Sequence, residues 1–371
     1  MLDINKIRSQ FPILNRKVNG KDLVYFDNGA TTQKPQSVID AEANYYTDEN
    51  SNVHRGVHFL SGLATDKFEE TRDAVQVFIG AKHNHEIIFT KGTTDSINLV
   101  ANGFRTLLNK GDEIIISEME HHSNIVPWQM CCEQSGATLK VIPLLDNGSL
   151  NMEEFENLLS DNTKLVAVSH ISNALGTINN IETIIKKAHG FGAKVLIDGA
   201  QAASHIALDM QKLDADFYCF SAHKMFGPTG VGVLYGKEEI LNKLPPYQGG
   251  GEMIKEVSFE KTTYACLPHK FEAGTPNISG VIAFKQAIDF ITELGVETIA
   301  KYEDELLQYA TAEILKIEGV KIYGTAKNKS GIISFNIDGL HPYDIGMIVD
   351  KMGVAIRTGH HCTQPIMDRF N

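Results

Sequence analysis

Lys224 lies in FYCFSAHKMFGPTGVGVLY, residues 217–235, where an apolar run delivers Ser221, His223 and Lys224 at its end and a Gly-Pro turn leads into a second run. An amine held there beside a histidine and short polar residues is placed to form a Schiff base. A solvated lysine in a turn is the plainer alternative; the tight turn and the flanking strands argue against it. Asp198 closes the apolar run of KVLIDGAQAA, residues 194–203, with Gln201 three positions on. A carboxylate at the end of such a strand faces the crevice where open α/β sheets bind ligands. It could bind a metal, cap the next helix or face a ring nitrogen. With Lys224 close by, the ring nitrogen is the favoured partner.

Three further segments carry chemistry. FTKGTTDSINLVANG, residues 89–103, runs strand, Gly92-Thr93-Thr94, helix, which suits one phosphate through helix N–H groups and hydroxyls. It has neither the phosphate-loop lysine pattern nor a dinucleotide fingerprint. ISEMEHHSNIVPW, residues 116–128, places His121 and His122 between a strand and a helix, where one imidazole can lie over a flat ring and move a proton. A zinc pair is the rival. VAIRTGHHCTQP, residues 354–365, carries Arg357, whose fork suits a carboxylate, and Cys362 in a polar loop. Metal ligation by GHHC is its alternative, without a CxxC or HExxH to complete it.

The elements that must hold these residues follow from periodicity. Between 80 and 236, β-branched runs at Ile87–Phe89, Glu113–Ile116, Leu139–Pro143, Leu165–Ser169, Lys194–Ile197, Phe217–Phe220 and Gly230–Tyr235 alternate with helical segments at Ser96–Leu108, Ser123–Gln134, Met152–Leu159 and Ile181–His189. Such alternation predicts a mostly parallel sheet covered on both faces. Beyond about 275, long helices are expected at Ser279–Leu294 and Glu297–Ile317, then strands at Lys321–Tyr323 and Gly331–Ile337 and a helix at Pro342–Met352. This reads as residues 1–22 forming a helix and arm packed with a small domain, residues 23–275 a large domain, and residues 276–371 the small α/β domain.

Composition limits the function classes. The 371 residues carry 34 Lys and Arg against 46 Asp and Glu, a net charge of −12, which disfavours polyanion and acidic-membrane binding. No apolar run approaches the ~18 residues of a membrane span, and no secretory signal is read at the N-terminus. The five cysteines are odd in number, with no CxxC, as in a cytoplasmic protein. Cys131, Cys132 and Cys219 lie in regular elements and read as packed rather than reactive.

Together LVYFDNGATTQKP (23–35), NSNVHRGVH (50–58), GTT (92–94), EHHSN (120–124), HISNALG (170–176), DGAQ (198–201), SAHK (221–224), GGGEMI (249–254), FEAGTPN (271–277) and RTGHHCTQP (357–365) resemble the class V aminotransferase group of fold-type I pyridoxal 5'-phosphate enzymes. Closer still is the resemblance to the cysteine desulfurases of the SUF type, also described as selenocysteine lyases. It implies a mostly parallel seven-stranded sheet between helices and a smaller α/β domain, in a homodimer. It implies that Lys224 carries the cofactor, Asp198 meets its ring nitrogen, Gln201 its phenolic oxygen, and that His122 stacks on the ring. Thr93, Thr94, Ser221 and His223 would hold the phosphate, with Thr275 reaching the partner subunit's. Asn173 and Arg357 would face the substrate carboxylate, and Cys362 would take sulfur from L-cysteine as a persulfide, releasing alanine. The short cysteine loop implies a SufE-like or SufU-like acceptor and a role in iron–sulfur cluster assembly. The family continues with an RxSxxxYN segment whose arginine grips the substrate carboxylate, and the sequence stops at Asn371, so the small domain is expected to be truncated. Selenocysteine lyase, C–S lyase, a non-catalytic scaffold and a GHHC-based hydrolase are the alternatives.

Overall fold

A computed structural model describes residues 2–370. Its centre is a seven-stranded sheet. In chain order the strands are β1 (Ile87–Thr90), β2 (Glu113–Ser117), β3 (Thr138–Ile142), β4 (Thr163–Ser169), β5 (Lys194–Asp198), β6 (Phe217–Ser221) and β7 (Gly232–Gly236). Across the sheet they run β1-β7-β6-β5-β4-β2-β3. Strands β2 to β6 pair in parallel, and β7 runs antiparallel to both of its neighbours.

The apolar character of these strands follows from burial on both faces. Alternate residues point to opposite sides, and the packing divides accordingly. Ile115, Val166, Val168, Val195, Ile197, Phe220 and Val233 belong to one core. Their neighbours Ile114, Ile116, Leu165, Leu196, Cys219 and Leu234 belong to the other. Sheet and helices therefore appear where the sequence places them, with small shifts. The predicted helix at 96–108 is α3 (Thr93–Phe104), and that at 123–134 divides into a single 3-10 turn at His122–Asn124 and α4 (Val126–Ser135). Two earlier helices, α1 (Gln36–Asn44) and α2 (Phe59–Ile79), occupy a stretch for which periodicity gave no expectation.

Parallel strands bring all their C-terminal ends to one edge. Ser117, Ser169, Asp198 and Ser221 end β2, β4, β5 and β6 there. Because β7 is reversed, its first residue, Gly232, lies at the same edge, opposite Ser221 on one side and Thr90 on the other. A Cβ on Gly232 would stand 2.4 Å from the Cα of Gly92. Only a glycine lets the loop before α3 lie down on the sheet at this point.

The remaining chain includes two long helices and several short strands. The helix at Ile278–Leu294 contributes Val281, Phe284, Ile288 and Ile291 to the core shared with α2. A second helix, Val296–Ile314, and an antiparallel pair, Val320–Tyr323 with Ser334–Ile337, follow. Near the N-terminus, Asp3 caps a short helix at Ile4–Ser9. The predicted strand at 23–30 is reduced to Val24–Tyr25, which pairs in parallel with Val354–Ala355, just ahead of Arg357. No helix among the described residues is long and apolar enough to cross a membrane.

Candidate active site

At the C-terminal edge of the sheet lies a cavity of about 210 Å³. Its lining includes Thr93, Thr94, Asn173, Asp198, Gln201, Ser221, His223, Lys224 and Arg357. Nine residues singled out in the sequence are thus brought together from five separate segments.

Asp198 is only 5% exposed. Its Oδ1 accepts the N–H of Ala200 at 2.9 Å, and its Oδ2 has no donor among the described residues. Burial raises its pKa, offset in part by that N–H and by Lys224. Lys224 follows the end of β6 in a 3-10 turn, Ala222–Lys224. Burial lowers its pKa against the opposing pull of Asp198, and Arg357 lowers it further. A neutral amine is consequently easier to reach than for an exposed lysine.

Ser221 and Thr93 are locked together. Ser221 Oγ accepts the Thr93 N–H at 2.8 Å and lies 2.7 Å from Thr93 Oγ1. That fixes the N-terminus of α3, a place where helix N–H groups favour an anion. His223 is held at about 4, through burial and the charges of Lys224 and Lys34, so it is neutral near pH 7. Gln201 lines the cavity while its Nε2 donates to the Gly29 carbonyl at 2.7 Å.

The histidine assignment is corrected. His121, not His122, lines the cavity. Its Nδ1 accepts the Ser123 N–H at 3.1 Å, which leaves the proton on Nε2. Burial and the nearby charge of Lys224 hold it at about 4. His122 turns instead to the cysteine loop. Its N–H donates to the Cys362 carbonyl at 2.8 Å, and its Nε2 accepts the Gln364 N–H at 3.0 Å. The buried Glu120 just before this pair fixes the turn, accepting from Asn124 Nδ2 at 2.6 Å and from the Ser169 N–H at 3.0 Å.

Cys362 is half-buried, outside the cavity lining, with Arg357 Nη2 at 3.7 Å from its Sγ. It and His361 both take left-handed backbone angles, φ 57° and 50°. Asn173 braces this strained turn by donating from Nδ2 to the His361 carbonyl at 2.8 Å. Thr275 is exposed and does not line the cavity. Cys131, Cys132 and Cys219 are buried, with Cys131 pushed up to about 12 and Cys219 also raised by burial.

These donors fit pyridoxal 5'-phosphate. A buried carboxylate with an unfilled oxygen suits a protonated ring nitrogen. A nearby buried amine suits its aldehyde, and a helix N-terminus flanked by hydroxyls suits its phosphate. The aminotransferase class-V family model matches residues 24–371. A cysteine desulfurase of Dickeya dadantii is 49% identical over 99% of this chain and 89% of its own length. One of Synechococcus elongatus is 50% identical over 99% of this chain. The apo structure of the cysteine desulfurase from Thermococcus onnurineus NA1 superposes with a TM-score of 0.94 at 41% identity, covering all of this chain and 91% of that one. The chain spans 54% and 59% of the length of two of the curated relatives it matches. From that family match over nearly the whole sequence, and from a relative covered over most of its own length, the chain belongs to the aminotransferase class-V family.

Proposed function

We propose that the protein is a cysteine desulfurase that converts L-cysteine to L-alanine and leaves the sulfur as a persulfide on Cys362. The observation that carries this reading is the arrangement of Cys362. It is the one cysteine placed in a polar loop against Arg357, and that loop is tied to Asn173 of the cavity wall and to His122 beside it.

When bound, the cofactor supplies an electron sink for charge developing at the substrate's α-carbon. Asp198 holds the proton on the ring nitrogen that makes the sink effective. Lys224 would anchor the cofactor, and its amine would take the substrate's α-proton; its depressed pKa suits a base. His121, neutral near pH 7, covers the ring without adding a charge. Thr93, Thr94, Ser221 and His223 hold the phosphate. Arg357 and Asn173 would face the substrate carboxylate.

The sulfur step balances without an outside oxidant. The Cys362 thiolate attacks the substrate sulfur, an S–S bond forms as the substrate's Cβ–S bond breaks, and the electron pair passes to the carbon skeleton. Protons taken up there complete alanine. A persulfide on Cys362 then has to leave to an acceptor, for which a SufE-like or SufU-like protein in iron–sulfur cluster assembly is the proposed partner. We also place the enzyme in the cytoplasm, as a homodimer in which Thr275 reaches the partner subunit's phosphate. In this reading residues 23–275 form the cofactor domain, joined in its core by the helix at Ile278–Leu294, and the chain beyond that helix forms the smaller domain.

The test is the visible absorption spectrum of the purified protein before and after L-cysteine. A cofactor band that shifts on cysteine and is missing in Lys224→Ala supports the reading. Cys362→Ala should shift the band yet form no persulfide. A protein that takes up no pyridoxal 5'-phosphate would refute it.

A further inference from the structure

The carbonyl of His223, in the peptide that joins it to Lys224, attracts four donors from one short segment. The N–H of Thr32 lies 2.9 Å away. The hydroxyls of Thr31 and Thr32 are each 3.1 Å away, and Lys34 Nζ is also at 3.1 Å. A carbonyl has two lone pairs, so this is an unusual concentration of donors. The Thr32 hydroxyl also accepts the Phe226 N–H at 2.8 Å. Thr32 therefore spans the backbone on both sides of Lys224. Phe226 needs that support, since its φ of 64° is costly for a bulky residue.

Lys34 is an odd choice for a merely structural brace. Its ammonium is partly buried and meets backbone carbonyls, those of Thr32 and His223, rather than a carboxylate. Burial brings it down to about 8. Such a lysine costs stability at neutral pH, and its position gives a reason for keeping it.

We propose that Thr32 and Lys34 are positioning residues for Lys224, clamping the His223–Lys224 peptide so that the amine meets the cofactor aldehyde in one orientation. Neither residue lines the cavity, so neither is placed to touch cofactor or substrate. The inference rests on the proposed role of Lys224 as cofactor-bearing amine.

The experiment compares wild type, Thr32→Val, Thr32→Ser, Lys34→Met and Lys34→Arg as purified holoenzymes. Borohydride reduction at limiting pyridoxal 5'-phosphate, followed by peptide mass analysis, gives the fraction of cofactor covalently fixed on Lys224. Total bound cofactor is measured separately. Thr32→Val should retain total binding within about twofold while the covalent fraction falls about tenfold, because it removes both hydrogen bonds of the Thr32 hydroxyl, to the His223 carbonyl and from the Phe226 N–H. Thr32→Ser, which keeps the hydroxyl, should restore it. Lys34→Met should show the same split, and Lys34→Arg should recover it in part. A covalent fraction equal to wild type in Thr32→Val and Lys34→Met overturns the clamp. So does a parallel fall of covalent and total binding in both. Should Thr32→Val fail to fold by circular dichroism, Lys34→Met decides on the same criteria. Wild type that binds no cofactor would instead sink the desulfurase reading itself.

Discussion

Asn173 donates to the carbonyl of His361 at 2.8 Å, joining the loop after β4 to the residue before Cys362 across 188 positions of sequence. The bond braces a turn in which two consecutive residues hold left-handed angles. Asn173→Ala removes that brace. Persulfide formation should fall by about tenfold, as expected for one hydrogen bond, with cofactor binding unchanged. Peptide-level mass analysis of Cys362 after a single turnover reads it. An unchanged persulfide yield would mean that the loop holds its shape without Asn173.

The two adjacent histidines separate by function. His121→Ala should weaken cofactor retention during dialysis, because its ring lines the cavity. His122→Ala should leave retention alone and slow alkylation or persulfidation of Cys362, since its contacts are to the Cys362 carbonyl and the Gln364 N–H. Equal loss of cofactor in the two variants would contradict this division.

This division shows where sequence reading runs out. Lys224, Asp198, Thr93 and Ser221 were legible because each ends an apolar run or opens a helix, and strand polarity then brings them to one edge. Which of two neighbouring imidazoles faces the cavity depends on the turn between β2 and α4, where His121 is extended and His122 begins a 3-10 turn. No period encodes that. Helix α2 escaped for another reason. Its buried stripe runs Ser61, Ala64, Phe68, Thr71, Arg72, Val75 and Ile79, so two polar residues and a cation interrupt the apolar pattern. Arg72 is tolerated there because Glu272, 200 positions away, meets it at 2.8 Å with Nη1 and 2.9 Å with Nη2. Contacts at that separation are invisible to local patterning.

Gly232 gives a prediction about packing. A methyl group there would stand 2.4 Å from the Cα and 2.6 Å from the N and C of Gly92, so backbone rather than a side chain must yield. Gly232→Ala should cost about 1–3 kcal/mol and displace the N-terminus of α3 from Ser221. Chemical denaturation reads the first effect and the dissociation constant for inorganic phosphate or pyridoxal 5'-phosphate the second. Normal phosphate-dependent binding in a folded Gly232→Ala protein would show that this approach does not set the anion site.

Glu120 supplies a pH signature. Burial, reinforced by the charge of Asp198, lifts its carboxyl from 4.5 to about 7, against the hydrogen bonds from Ser117, Asn124 and Ser169 that favour the charge. The folded protein therefore binds a proton that the unfolded chain has already lost between these values. In that window folding stability must decline as pH rises. For a shift of this size the loss is roughly 3 kcal/mol, at 1.36 kcal/mol per unit. Glu69 works in the opposite direction and elsewhere. His54 and Arg72 hold it at about 2, so its stabilisation is lost only as pH falls from 4.5 toward 2. Urea denaturation of the cofactor-free protein at pH 5 and pH 7.5 should thus show wild type weakening upward through this range. Glu120→Gln, which cannot titrate, should be less stable at pH 5, because its amide hydrogens face Asn124 Nδ2, and should show a flatter slope. An equal slope in the variant would assign the pH dependence to Asp198 or to another buried acid.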